Sequence, residues 1–404
     1  MKYFGKKVEY STSNRKREDF KTLSRSGARS LLDVYQPTRF LIGCTLISIG
    51  ICVSTSGGSW DITNHLLNKP ETFFSAPHAV LYSGIALAML GSAVMFQDWW
   101  RSSAGQHYYY TKPKISLILV LSGIAMLVAA GPIDFSWHSA FGLDGLLSPP
   151  HLILLIGMIT SSIGSMLGIT LCINRNIFKT SGSHDKGGDN GLTTTGQKPI
   201  SYILIIISVM PVWISLDGLV GMFSLPFSNT QYFHFNPDAS VAAVLATVAY
   251  PFLISLILCL SFGLGTKRFG ILSVIGAIYL TINIITVIIP NESLIPTLPF
   301  YLVNMIPIII ADTLLSVLDN KFYSLCIAGG IMGSIFFMIQ YPLITHIYNE
   351  VLTKQPVWPS ITSSIYFGMI SNIYPLIICP AIATGMVGAI VGYKISHRIT
   401  SIGL

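Results

Sequence analysis

The apolar runs of about 20 residues that follow one another along the chain constrain its fold more than any other feature. A run of that length can cross about 30 Å of hydrocarbon as an α-helix. Runs such as 115–130 and 203–212 are almost continuously apolar, whereas the strands of a membrane β-barrel alternate apolar and polar residues. Only 10% of the residues are charged, against about 25% in soluble domains. We therefore predict an all-α, polytopic membrane helical bundle and exclude a soluble fold.

Ten membrane spans are predicted from these runs and from the polar breaks between them. Their bounds are 38–60, 77–97, 115–136, 150–173, 200–219, 239–264, 269–289, 296–317, 323–347 and 362–393. The spans divide the chain into a basic cytoplasmic arm (1–37), a four-span unit (38–173), a flexible linker rich in Ser, Gly and Thr (174–199), a six-span bundle (200–393) and a cytoplasmic tail (394–404).

The basic residues predict the orientation of the spans. With the N-terminus in the cytoplasm, all of the 24 Lys and Arg residues except Lys69 and Lys354 fall on the cytoplasmic side, as the positive-inside rule requires. We therefore place both termini in the cytoplasm and expect a multi-pass protein of the plasma membrane. The net charge of +7 reflects this topology, so the lipid bilayer is an expected partner and nucleic acid is not. Other membrane subunits or further copies of the chain remain open as partners.

The cysteines and the N-terminal segment exclude several other classes. All six cysteines lie inside apolar runs and none belongs to a CxxC or CxxCH motif, so no disulfide framework, zinc knuckle or c-type haem site is predicted. The segment before the first span is polar and basic, so we expect no cleavable signal peptide. The tryptophans, Trp213 among them, are interpreted as parts of interfacial belts.

An internal repeat carries the candidate chemistry. The segment WDITNHLLNKPETFFSAPHAVLYSG at 60–84 aligns without a gap with IDFSWHSAFGLDGLLSPPHLILLIG at 133–157. The matching positions are Asp61 with Asp134, His65 with His138, Glu71 with Asp144, Ser75 with Ser148, Pro77 with Pro150, His78 with His151, and Gly84 with Gly157.

Each copy of the repeat is expected to bring three metal ligands together. An Asp and a His four residues apart share one face of the last turn of the outgoing helix. The Pro before the second His marks the start of the returning helix, with Ser75 or Ser148 as its cap. The hairpin thus places a third ligand beside the first two. The two expected ligand sets are Asp61, His65 and His78, and Asp134, His138 and His151.

Asp, His and His suit Cu, Zn, Fe or Mn, and three protein ligands leave coordination positions open. Glu71 and Asp144 in the intervening loops are candidate catalytic groups, each as a fourth ligand, a partner that orients an imidazole, or a general base. Two metal-free interpretations compete with this hypothesis. The Asp and His residues could pair as helix-end caps at the membrane interface, or they could form a proton or substrate site.

The spacing Asp-(x)3-His-(x)12-His on two consecutive membrane helices resembles the metal-binding motif of the membrane C subunit of copper-dependent methane and ammonia monooxygenases. This resemblance covers only the two copies of the motif and implies that both Asp/His/His sets bind metal, with copper favoured over zinc or iron. The fuller pattern includes Trp137, Gly142 and Asp144 before Ser-Pro-Pro-His. It resembles a group of uncharacterised multi-pass prokaryotic membrane proteins, which implies no activity.

Three further sets of ionisable residues are candidates. Asp217 and His234 have the same separation along the chain as Asp61 and His78, and they could belong to a decayed third hairpin that supplies a neighbouring site. Asp312 in the eighth predicted span is interpreted either as part of a proton or ion pathway or as a partner for Thr or backbone in a neighbouring helix. His346 and Glu350 are interpreted as an interface pair.

The sequence leaves three functions open. The leading hypothesis is an integral membrane metalloprotein, with one or two metal ions on the extracytoplasmic side, that oxidises or hydroxylates a small apolar substrate. The alternative is a transporter or metal-handling protein that uses the same residues as a transient cation or proton site. A b-type haem protein is the third. In each case we expect the two repeated hairpins to pack together, with both ligand sets facing one cavity.

Overall fold

The computed structural model describes the helical parts of the chain and is all-helical there. The described residues are 39–64, 75–103, 111–141, 147–181, 197–224, 239–265, 269–290, 292, 295, 298–318, 321–346 and 369–402. The predicted cytoplasmic arm (1–37) lies outside them. The absence of strands from the described residues confirms the predicted all-α class.

The helices follow one another along the chain. They are α1 (Arg39–Asn64), α2 (Ala76–Ser103), α3 (Thr111–Phe141), α4 (Pro149–Ser181), α5 (Gln197–Ser224), α6 (Ala239–Leu264), α7 (Ile271–Asn283), α8 (Leu298–Val303), α9 (Met305–Val317), α10 (Lys321–His346) and α11 (Met369–Ile402). A π-helical turn, Ile284–Ile288, continues α7 directly.

Eight segments of the described helices are long and apolar enough to cross a membrane. They lie in α1 to α6, in α7 with its π-helical turn, and in α11. In the eighth predicted span the apolar helical segment Tyr301–Val317 is shorter, whereas α10 in the ninth predicted span is a helix of 26 residues. Many large apolar side chains on these helices are exposed, such as Leu90 at 57% and Ile118 at 53%. Exposed apolar faces of this kind fit a helix surface that contacts hydrocarbon rather than water.

The helices extend beyond several of the predicted bounds. Helix α4 continues to Ser181 and α5 begins at Gln197, so both ends of the predicted linker (174–199) are helical. Helix α11 runs through most of the predicted tail and ends at Ile402. The eighth predicted span is interrupted by a turn at Asn304, between α8 and α9. The observed helix ends differ from the predicted bounds because backbone hydrogen bonding continues the helices beyond the apolar run into polar residues.

Glycine contacts hold the first two hairpins together, and they repeat with the same offset as the sequence motif. A Cβ atom added to Gly84 in α2 would lie 2.5 Å from the carbonyl oxygen of Gly50 in α1. In the second hairpin, a Cβ added to Gly157 in α4 would lie 3.0 Å from the carbonyl oxygen of Gly123 in α3. Small residues of this kind let helix backbones approach closely in a membrane. The duplication therefore extends from the motif into the spans.

Hydrogen bonds between small polar residues add to the packing of these four helices. The hydroxyl of Ser116 in α3 donates to the carbonyl oxygen of Gly164 in α4 at 2.6 Å. The hydroxyls of Ser48 in α1 and Ser165 in α4 lie 3.0 Å apart. The second contact joins the two hairpins, because α1 belongs to the first and α4 to the second. The four helices thus pack as one unit, as expected from the need to satisfy polar groups within the bilayer.

The second half of the chain packs around α6 in the same way. Gly388 and Gly392 of α11 lie against the backbone of Phe252 and Leu256 in α6. One hydrophobic core joins this part to the first four helices. Trp213 of α5 belongs to that core with 0% exposure, so its predicted place in an interfacial belt was wrong. The ring stacks on Tyr279 of α7 instead, with 4.0 Å between ring centroids.

The glycine contacts predict that Gly→Ala substitution destabilises the protein at Gly50 but not at Gly131. In Gly50→Ala, the new methyl group would lie 2.6 Å from the backbone nitrogen of Ala88 and from the carbonyl oxygen of Gly84, so the helices must separate. We expect the free energy of unfolding to fall by about 1–3 kcal/mol, measured as a lower thermal midpoint in detergent. The matched control is Gly131→Ala, where a Cβ meets nothing within 4 Å and helix propensity favours Ala by about 1 kcal/mol. Equal midpoints for the two variants would contradict this packing.

Candidate metal centre

Three side chains of the second hairpin converge on one point, as the motif predicts. Asp134 and His138 lie near the end of α3, and His151 lies in the first turn of α4. Oδ1 of Asp134 is 3.4 Å from Nε2 of His138 and 3.5 Å from Nε2 of His151. One ligand atom from each residue can be chosen so that all three lie within 4.8 Å of one another. The three side chains therefore form a group that could hold a metal ion.

These distances suit coordination of a common ion. Two ligand atoms about 2.1 Å from a tetrahedral ion are about 3.4 Å apart, which is close to both Asp134–His distances. The side chains of His138, His151 and Asp134 are 20%, 25% and 33% exposed. Partial exposure leaves room for a further ligand such as water or substrate on an ion held by three protein ligands.

Local sequence explains why His151 lies where it does. Pro149 is the first residue of α4, where its missing N–H has no intrahelical partner to lose. The preceding Ser148 accepts a hydrogen bond at its hydroxyl from the backbone N–H of His151, at 3.5 Å, in the position of an N-cap. His151 is therefore the third residue of the helix, and its imidazole lies beside the end of α3.

The first hairpin also brings its Asp and its second His together, but the hydroxyl of Ser75, the expected cap, has no hydrogen-bond partner among the described residues. Oδ1 of Asp61, near the end of α1, lies 3.0 Å from Nε2 of His78, which is again the third residue of its helix. His78 also contacts the ring of Tyr82, one turn along α2. The remaining predicted ligand, His65, and the loop carboxylates Glu71 and Asp144 lie outside the described residues. Two of the three predicted ligands of this copy thus meet.

Both hairpins contribute to one cavity. Asp61, His78, Asp134 and His151 all line a cavity of about 230 Å³. The sequence predicted that the two ligand sets would face a shared space, and the walls of this cavity agree with that expectation. Two negative carboxylates in one partly apolar space favour a bound cation.

The second half of the chain completes the cavity with a third carboxylate. Asp217 of α5 lines it, and so does Tyr279 of α7, whose hydroxyl donates a hydrogen bond to Oδ2 of Asp217 at 2.7 Å. The sequence indicated Asp217 through its spacing from His234, but His234 lies outside the described residues. Tyr279 was not predicted, because nothing in the local sequence links it to Asp217, which lies on a distant part of the chain.

Asp312 lies elsewhere and has a structural role. Its Oδ2 accepts hydrogen bonds from the backbone N–H groups of Gly270 and Ser273, both at 2.9 Å, and from the Ser273 hydroxyl at 2.6 Å. These groups form the start of α7, which Gly270 enters at a φ of 104°. Asp312 is not among the residues that line the cavity. The interpretation that it bonds to the backbone of a neighbouring helix agrees with these contacts.

Comparison with known proteins adds no relative. No protein-family model, curated protein or solved structure matches the chain.

His346 is the last residue of α10, and its predicted partner Glu350 lies outside the described residues.

The cap at Ser148 gives a local prediction. Ser148→Ala removes the hydroxyl that accepts from the His151 N–H, and loss of such a cap costs about 1 kcal/mol. We expect amide exchange in the first turn of α4 to become about fivefold faster, measured by hydrogen–deuterium exchange on peptides covering 149–155. The control is Ser139→Ala, which removes a hydroxyl that donates to the carbonyl of Phe135 within α3. Unchanged exchange in Ser148→Ala would show that this hydroxyl does not cap α4.

Proposed function

We propose that the chain is an integral membrane metalloprotein in which Asp134, His138 and His151 bind a metal ion at the wall of the shared cavity. The observation that carries the proposal is the convergence of these three side chains within 4.8 Å. Imidazole ligands suit copper, zinc and iron. Copper is the first choice because the spacing of the motif resembles that of a copper-dependent enzyme family, and zinc and iron are the alternatives. Asp61 and His78, together with His65, would form a second site of the same kind.

The direction of the imidazoles supports metal binding over a simple helix-end ion pair. Nε2 atoms of both His138 and His151 face the same oxygen of Asp134. A pair that only neutralised Asp134 would need one imidazole, whereas a metal site needs several donor atoms around one point. Asp61 and His78 are also in contact in the first hairpin, and four predicted ligands line the cavity: Asp61, His78, Asp134 and His151.

The cavity supports a reaction at the metal rather than storage of an ion. Its wall contains apolar side chains such as Leu127, Leu154 and Met158 beside the ligand residues. An apolar chamber next to a metal with open coordination positions suits oxidation or hydroxylation of a small apolar substrate. In the hydroxylation, one oxygen atom of dioxygen is inserted into a C–H bond of the substrate, which becomes C–OH. The other atom leaves as water after uptake of two electrons and two protons from an external donor.

Transport or handling of the metal is the second candidate. A carrier would release the ion along a polar path through the membrane, and Asp312 is the carboxylate that the sequence offered for such a path. Its Oδ2 is engaged with three donors at the start of α7, which favours the enzyme over the carrier. By the positive-inside topology the cavity faces the extracytoplasmic side of the plasma membrane.

The metal content of single variants tests the proposal. We expect purified wild type to retain metal in a fixed ratio to protein, measured by inductively coupled plasma mass spectrometry. His138→Ala and His151→Ala should each lower occupancy at that site at least tenfold, since loss of a ligand leaves only two. The matched control, His397→Ala, removes an exposed histidine of α11 that does not line the cavity. Wild type without metal after growth and purification with copper, zinc and iron present would overturn the proposal.

The shared cavity predicts that the two ligand sets influence one another. Because Asp61 and Asp134 line the same cavity, loss of the Asp61 carboxylate in Asp61→Asn should weaken metal binding by the second hairpin as well as by the first. We expect a measurable shift in the copper dissociation constant of the Asp134 site, obtained by competition titration with a chelator. Loss of one binding equivalent with the other unchanged in affinity would mean that the two sites are independent.

A further inference from the structure

Asp217 is a half-buried residue whose carboxylate has incomplete hydrogen bonding within the described residues. Its Oδ2 accepts from the Tyr279 hydroxyl at 2.7 Å. Its Oδ1 is buried and has no hydrogen-bond partner among the residues that the structure describes. A buried carboxylate oxygen without a donor costs about 1–3 kcal/mol or more, and Asp217 also lines the cavity.

The position of Asp217 is held by its neighbours. Tyr279, which donates to it, stacks face to face on the fully buried ring of Trp213, with an interplanar angle of 4°. Trp213 lies one helical turn before Asp217 on α5. The carboxylate and the phenol are therefore fixed in place before any ligand enters, which lowers the entropic cost of binding.

The backbone near Asp217 also opens space in the cavity. Gly218 and Gly221 of α5 line the wall and place no side chain there. The π-helical turn Ile284–Ile288 follows α7, and its residues Thr286 and Val287 also line the cavity. Glycines and an irregular helical turn thus form part of the cavity wall.

We propose that Asp217 and Tyr279 bind the polar end of a small, mostly apolar molecule that carries a hydrogen-bond donor, an alcohol or an amine. The donor bonds Oδ1 of Asp217, and the apolar body lies along side chains such as Leu155 and Met158, toward the Asp/His residues. The identification of this molecule as the substrate of the metal centre rests on the proposed function. Its binding to Asp217 does not depend on a metal.

Three probes of the same size test the proposal: cyclohexylamine, cyclohexanol and cyclohexanone. The first two carry a donor, whereas cyclohexanone only accepts hydrogen bonds. We expect the purified full-length chain in lipid nanodiscs to bind both donor probes saturably in calorimetric titration, and cyclohexanone at least tenfold more weakly, after subtraction of empty nanodiscs. Equal binding of cyclohexanone, or no saturable binding of either donor probe, would overturn the proposal.

Variants assign the binding to the residues. Asp217→Asn should weaken cyclohexylamine binding about 10- to 100-fold, because a charge-assisted hydrogen bond is lost, and Tyr279→Phe about 3- to 10-fold. The matched controls are Asp98→Asn on α2 and Tyr323→Phe on α10, residues that do not line the cavity. Wild-type affinity in folded Asp217→Asn protein would contradict the assignment.

A third variant separates this proposal from the metal proposal. His138→Ala removes a metal ligand that does not line the cavity wall. Donor probes that bind this variant with wild-type affinity support the Asp217 site, whether or not metal is lost. If the wild type binds metal but shows no preference for donor probes, the metal centre stands and the Asp217 proposal falls.

Discussion

The close approach of the paired helices in the first two hairpins is the constraint on which the candidate site depends. At the crossing of Gly50 with Gly84, and of Gly123 with Gly157, a methyl group would collide with backbone. Because these crossings fix how far each returning helix is displaced along its partner, they also fix which residues meet at the hairpin end. A shift of one residue would rotate His151 by about 100° around its helix and separate it from Asp134.

Two parts of the chain form the cavity: the repeated hairpins, and helices α5 and α7. The repeated hairpins supply carboxylates and imidazoles from helix ends, whereas α5 and α7 supply Asp217 and Tyr279 from within spans. In hydrocarbon, each of these polar groups needs a partner inside the protein. Collecting them around one cavity satisfies several of them mutually, whereas Oδ1 of Asp217 has no hydrogen-bond partner among the described residues. The proposed metal site and the proposed organic site both have residues that line this cavity.

The sequence could predict those features that depend on residues close together along the chain. The Asp134, His138 and His151 group follows from four-residue helical spacing and a short hairpin, so it was predicted correctly. The repeated glycine contacts also carried a signal, since Gly50 and Gly123 are related by the same offset as the two copies of the motif. That signal was missed because the apolar side chains around these glycines differ between the copies.

The other features needed tertiary structure. Trp213 was assigned to an interfacial belt from its residue type, but its place is set by stacking on Tyr279, which belongs to a different helix. The role of Asp312 likewise depends on α7, whose first turn packs against α9. Aromatic stacking and carboxylate capping between distant segments leave no periodic pattern, and a hydropathy profile therefore does not reveal them.

The central claim is that the Asp and His residues at the cavity are the metal ligands, and X-ray absorption at the edge of the bound metal tests it most directly. The account predicts a shell of nitrogen and oxygen atoms at about 2.0–2.2 Å, with the outer-shell scattering of two imidazoles. In His151→Ala the amount of bound metal should fall, because that site loses one of its three ligands. A sulfur shell at about 2.3 Å, which would place the metal at cysteine thiolates, or a wild-type spectrum without imidazole scattering, would contradict the account.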